Sequence, residues 1–137
     1  MKILIADDCK TRYKNLLASL EEIGVTKEQV TLAGSSDEAQ THLENERYDL
    51  LVLDILLPLY PTEADVSHEN SLQVLYSINH DENTIKPGKV IGITADSGAA
   101  KAASESFAKN TWSIIEYSQT DNEWLHTIIN CVKYIQQ

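Results

Sequence analysis

The chain has 137 residues, a formal net charge of −10 and 42% apolar residues, enough for one domain with a core that needs no staples. The acidity is spread along the chain with no basic stripe, which argues against direct nucleic-acid binding, because a phosphate backbone would be repelled. No apolar run is long enough for a secretory signal or membrane insertion, and Cys9 and Cys131 lack any paired spacing, so the expectation is a cytoplasmic protein with no zinc site or disulfide framework.

Ile3 to Ala6 predicts a first buried strand, ended by Asp7 and Asp8. Thr11 to Ile23 places Leu16, Leu17, Leu20 and Ile23 on one helical face, with Gly24 as the stop. Val30 to Ala33 predicts a second, edge strand closed by Gly34, and Ser35 with Glu38 has the form of a capping box opening a helix to about Asn45. In Tyr48 to Pro58, YDLLVLDILLP, the run Leu50 to Leu53 is the mark of a strand buried on both faces, and Asp54 ends it.

Leu59 to Asn70 lacks periodicity and predicts a long loop at the rim of whatever Asp54 faces, before a helix from Ser71 to about Asn79. His80 to Gly88 predicts a second connector, at the opposite end of the sheet. KVIGIT, Lys89 to Thr94, is the fourth strand; a helix runs from Ala99 to about Lys109, and Trp112 to Tyr117 is the fifth strand. The last helix carries Trp124, Leu125, Ile128, Ile129, Val132 and Ile135 on one face, with Thr120 and Glu123 as its expected capping box. His42, His68, His80 and His126 have no metal-ligand spacing.

Alternating strands and helices imply a single α/β domain over residues 1–137, a doubly wound five-stranded parallel sheet with helices on both faces. The usual flavodoxin-like order is 2-1-3-4-5. Strands one and three are then neighbours, and Asp7, Asp8 and Asp54 meet at the carboxyl edge. Like charges ~4 Å apart repel by about 4 kcal/mol at an effective dielectric near 20, so one carboxylate takes a proton or a hard divalent cation sits among them. Mg²⁺ suits that donor set and keeps sites for phosphoryl oxygens, which makes Asp54 a candidate nucleophile. Thr94, at the end of KVIGIT, and the backbone N–H of Ala95 are placed to donate to a phosphoryl oxygen at the same edge.

KILIADD, LLVLDILLP and VIGITA, in that order, resemble the receiver domain of two-component response regulators (CheY-like) over nearly the whole chain. The resemblance implies that Asp54 is the phosphoacceptor, charged from a histidine kinase or phosphotransfer protein, and that Asp7, Asp8, Asp54 and the backbone carbonyl of Leu56 hold Mg²⁺. Thr94 would be the switch that turns inward and carries the signal to a downstream protein target. Such a domain is not a conventional enzyme, although it catalyses its own phosphorylation and dephosphorylation.

Two features depart from that pattern. The lysine that ends the family's fifth strand is missing, for Ile114 to Thr120 reads IIEYSQT, and the aligned position falls at Glu116, Tyr117 or Ser118. Lys10 is the nearest basic substitute after the acidic pair, but a solvated surface lysine is its simpler reading. The loop Leu59 to Asn70 is also longer than the family's turn. These departures motivate the alternative of a degenerate pseudo-receiver acting as a phosphorylation-independent interaction module. A small Mg²⁺-dependent phosphohydrolase is a weaker third reading, and a haloacid-dehalogenase-like site would want a carboxylate where Leu56 stands.

Overall fold

The computed structural model describes residues 1–137. Five parallel strands, β1 (Ile3–Ala6), β2 (Val30–Ala33), β3 (Leu50–Asp54), β4 (Lys89–Thr94) and β5 (Ser113–Glu116), form one sheet in the order β2-β1-β3-β4-β5. The helices between them are α1 (Lys14–Glu22), α2 (Ser36–Asn45), α3 (His68–His80), α4 (Ser97–Ala108) and α5 (Glu123–Gln136). This is the flavodoxin-like topology expected from the alternation of elements.

The unbroken apolar strands make sense once both faces of the sheet are covered. Leu4, Ala6, Leu51, Leu53 and Val90 join the core under α2, α3 and α4, while Ile3, Ile5, Leu50, Val52, Ile91 and Ile93 join the core under α1 and α5. Successive residues feed opposite cores, so no position in β1 or β3 has a solvent face. Gly92 of β4 is needed for one of these packings: a Cβ there would lie 2.7 Å from the Phe107 ring of α4.

Register sets the site. Ala6 of β1 pairs with Leu53 of β3, so the next residues, Asp7 and Asp54, come out side by side at the carboxyl edge. Both also follow the alternation that serves the α1/α5 face. The amide of Asp7 donates to Ala33 O at 2.8 Å, extending the pairing with β2 by one residue.

Several boundaries differ from the sequence expectation. Residues Lys10–Tyr13 form a 3₁₀ turn before α1, so the predicted single helix is split. Helix α3 starts at His68, with the Ser67 hydroxyl accepting from Glu69 N at 3.1 Å, which shortens the predicted Leu59–Asn70 loop. Ser35 does cap α2 by accepting from Glu38 N at 3.2 Å, while the Glu38 carboxylate reaches back to Gly34 N at 3.3 Å. The Thr120–Glu123 capping box does not form: Thr120 is held by Ser118, and the amide of Glu123 donates to Asp121 Oδ1 at 3.0 Å.

The remaining rim loop is anchored. Ser36 N and Asp37 N donate to Pro58 O and Leu59 O, each at 3.0 Å, and Leu57 bridges Ser67. Two first-turn amides of α2 thereby find acceptors in the loop. Leu59, Tyr60 and Val66 are left exposed. The second connector joins α3 to β4 at the opposite edge, where Gly88 N donates to Tyr48 O.

Candidate functional site

The acidic cluster is one site. Asp7, Asp8 and Asp54 each offer a carboxylate oxygen within 4.8 Å of the others. Asp7 and Asp54 are only 1% and 6% exposed, whereas Asp8 is open to solvent. Burial gives their charges a cost that bulk water would remove.

Asp7 is held from three sides. Its Oδ1 accepts from Cys9 N at 2.8 Å, and its Oδ2 accepts from Tyr13 Oη at 2.6 Å and Arg12 Nη1 at 2.8 Å. Burial nonetheless dominates and pushes the Asp7 pKa up, against the pull of Tyr13, Cys9 and Arg12. Burial, followed by the negative charge of Asp7, also raises the Tyr13 phenol far above its ordinary value, so it stays a protonated donor. Asp54 is pushed up to about 8, by burial first and then by Asp7, with the Leu56 amide and Arg12 pulling the other way. At neutral pH and without a cation, the pair holds a proton.

The backbone around Asp54 is fixed from below. Leu56 N donates to Asp54 Oδ1 at 3.2 Å, keeping the Leu56 peptide beside the carboxyl group. The buried Ser71 hydroxyl of α3 donates to Asp54 O and, at 2.9 Å, to Ile55 O. Ser71 was legible only as the start of a helix; nothing in its spacing announces a brace beneath the phosphoacceptor candidate.

Thr94 ends β4, is 1% exposed, and its hydroxyl accepts from Asp96 N at 3.1 Å. The hydroxyl is thus tied to the N-cap of α4 and makes no hydrogen bond to the acidic cluster. The Ala95 amide donates to no protein acceptor.

The three residues considered for the missing lysine's place point to different surroundings. Glu116 pairs with Thr94 but is exposed, in a groove against Ser97 and Lys101 of α4. Ser118 is bonded to Thr120 in the following loop. Tyr117, whose amide donates to Thr94 O at 2.8 Å, takes the other side. Its ring centroid lies 5.0 Å from that of Trp124 and 4.5 Å from the guanidinium carbon of Arg12.

The cation beside the acids is therefore Arg12, which no motif in the sequence marks. Lys10 is exposed, as its simpler reading as a surface lysine expected, and lies against Gly34 at the end of β2. Although burial disfavours the Arg12 charge, Asp7, Tyr13 and Asp54 outweigh it and raise the Arg12 pKa. The only available signal was an arginine five residues beyond Asp7, too common a pattern to single out.

No family model matches the chain. Over 136 residues it is 27% identical to the uncharacterized protein y4jS of Sinorhizobium fredii, covering 99% of this chain and 33% of that protein, so it spans about a third of the curated relative's length. Among solved structures it resembles a two-component response regulator from Clostridium difficile, with a TM-score of 0.64, 22% identity, and coverage of 99% of this chain and 95% of the other. The chemotaxis response regulator CheY4 of Vibrio cholerae gives a TM-score of 0.66 at 14% identity, covering 98% and 97%. The signal receiver domain of a histidine kinase from Syntrophus aciditrophicus gives 0.65 at 23% identity, covering 98% and 88%.

The chain thus has the fold of CheY-like response regulator receiver domains, over nearly its whole length. Within that fold it carries a three-aspartate cluster at the carboxyl edge and a tyrosine just beyond β5. No helix is long and apolar enough to cross a membrane.

Proposed function

We propose that the chain is a receiver domain of a two-component or phosphorelay system, which accepts a phosphoryl group on Asp54 with Mg²⁺ and signals by protein contacts in the cytoplasm. The observation that carries this reading is the convergence of Asp7, Asp8 and Asp54 at the carboxyl edge of this particular fold. The donor set fits the ion. It is all carboxylate oxygen, and the exposed Asp8 accepts no protein hydrogen bond, leaving it for a hydrated hard cation. Asp7, Asp8, Asp54 and the Leu56 carbonyl would hold Mg²⁺, which when bound neutralises charge around the transferring phosphoryl group.

The chain's own residues do the rest. An ionised Asp54 oxygen attacks phosphorus of a phosphohistidine on a kinase or phosphotransfer partner. The new O–P bond forms as the P–N bond breaks, its electron pair returns to the imidazole, and that ring takes a proton from solvent. The unpartnered Ala95 amide donates to a phosphoryl oxygen, and the Thr94 hydroxyl leaves Asp96 N to do the same. Because Asp96 caps α4 through Gly98 N and Ala99 N, that exchange loosens the start of α4 and alters the surface of α4, β5 and α5 offered to a downstream protein.

Intact mass after incubation with phosphoramidate and Mg²⁺ tests the reading. One phosphoryl adduct is expected on the wild type and none on Asp54→Asn; an unmodified wild type, or an adduct that survives the substitution, ends it. A second reading, the degenerate receiver, is favoured by Tyr117 beyond β5 and by Arg12 already engaged on Asp7. It expects Asp54→Ala to leave partner binding intact, measured by co-purification with the partner, and a large loss there would sink it.

A further inference from the structure

The site's positive charge comes from an unexpected element. Arg12 lies in the 3₁₀ turn after β1, and its side chain is 15% exposed. Tyr117 stands where the chain leaves β5, separated from β1 by two strands of the sheet. Their contact, 4.5 Å from guanidinium to ring centroid, crosses the carboxyl ends of β3 and β4. Trp124 backs Tyr117, and Tyr13 meets Trp124 edge-on, so the arginine rests on an aromatic platform braced by α5.

We propose that Arg12, seated on Tyr117, is the cation that binds the phosphoryl group carried by Asp54, in place of a basic residue on β5. The inference rests on the phosphoacceptor reading above and specifies its anion-binding group. Three observations support it. Nη1 is 2.8 Å from a carboxylate whose oxygens lie within reach of Asp54. Arg12 Nε is buried and has no hydrogen-bond partner, which leaves an expensive donor unspent. The planar fork of a guanidinium matches two phosphoryl oxygens, and its flat face suits a tyrosine ring while its edge points to the anion.

Arg12 thus has two anions to choose between. While Asp54 is unmodified it pairs with Asp7. When Asp7 is shared with a divalent cation, its hold on the guanidinium weakens and the fork turns to the phosphoryl oxygens. Tyr117 limits that movement to a swing across its ring, so the arginine need not be ordered from solution.

Titration with beryllofluoride, a phosphoryl mimic that needs no group transfer, in saturating Mg²⁺ tests this through Trp124 fluorescence, with Mg²⁺ alone titrated on the same variants. Loss of one charge-assisted hydrogen bond, ~1.5 to 3 kcal/mol, corresponds to ~10- to 100-fold weaker beryllofluoride binding for Arg12→Gln. Arg12→Lys should lose less, and Mg²⁺ binding alone should hold or tighten because a competitor for Asp7 is gone. Arg12→Gln combined with Tyr117→Lys returns a cation to β5 and should recover part of the loss. Wild-type binding with no change in Arg12→Gln would overturn the inference and leave the phosphoacceptor reading standing; an equal loss in the Mg²⁺-only titration would reduce Arg12 to a structural role. No wild-type response to beryllofluoride would remove both readings together.

Discussion

Asp54 is a carboxyl group kept in surroundings that favour its neutral form, and that has a sign and a pH window. Its pKa in the folded chain, pushed up to about 8, lies far above the usual carboxylate value near 4, so the folded state holds a proton that the unfolded state releases. Metal-free stability should therefore be highest below pH ~4 with respect to this group, and fall as pH rises toward ~8. Asn keeps an oxygen for Leu56 N and cannot ionise, so Asp54→Asn should be more stable than wild type at pH 8 by on the order of 5 kcal/mol, with no advantage at pH 4. Urea unfolding at the two pH values measures this, and a constant difference between them would mean the burial cost has been misassigned. The sequence showed that Asp7, Asp8 and Asp54 belong together, because strand-end acids in this topology have only one edge to share. Arg12 stayed hidden because its partners are Asp7 and a tyrosine more than a hundred positions later. Neither pairing has a periodicity, and both exist only after β1 and β5 are placed in one sheet.

At the level of elements, strands were easier to read than helix ends. Apolar runs such as LLVL have a single sensible place, between two layers, so β3 and β1 fell where the pattern put them. Caps depend on which of several oxygens wins a given amide. Around α5, Asp121 takes the Glu123 amide while Thr120 is drawn to Ser118, a competition that residue types alone do not decide. Gly92 shows the reverse case, a residue whose smallness matters to another element. Phe107 of α4 fills the space above it, and a methyl group would also come within 3.0 Å of Ile55. Gly92→Ala should force the ring off its seat and destabilise the fold by ~1–3 kcal/mol, the usual cost of overpacking. Since β4 ends two residues later at Thr94 and α4 begins at Ser97, the same variant should shift the backbone signals of Thr94 to Ala99 in an amide correlation spectrum. Unchanged stability with unshifted signals would show that α4 can lift freely, and that its contact with β4 is not tight.

For the whole molecule, a net charge of −10 raises the question of how much of the response to Mg²⁺ is a site and how much is an ion atmosphere. Diffuse screening depends on ionic strength and has no preference among the aspartates. A site stabilises by mass action, ~2.7 kcal/mol at a hundred times the dissociation constant, which for a chain near this size amounts to a rise in melting temperature of ~5–10 °C. The cluster gives that distinction a handle, because Asp8 is exposed, bonded to nothing in the chain, and can be changed without opening the core. Asp8→Asn should erase most of the Mg²⁺-dependent rise while holding or raising the metal-free melting temperature, because one of the charges that repels Asp7 is gone. The exposed Asp65, in the rim loop outside the three-aspartate cluster, is the control, and Asp65→Asn should retain the full response. NaCl at matched ionic strength should raise the melting temperature of all three proteins alike. If MgCl₂ did no more than NaCl in the wild type, or if Asp65→Asn lost as much as Asp8→Asn, the cation would be bound by the overall charge and the carboxyl edge would have no special claim on it.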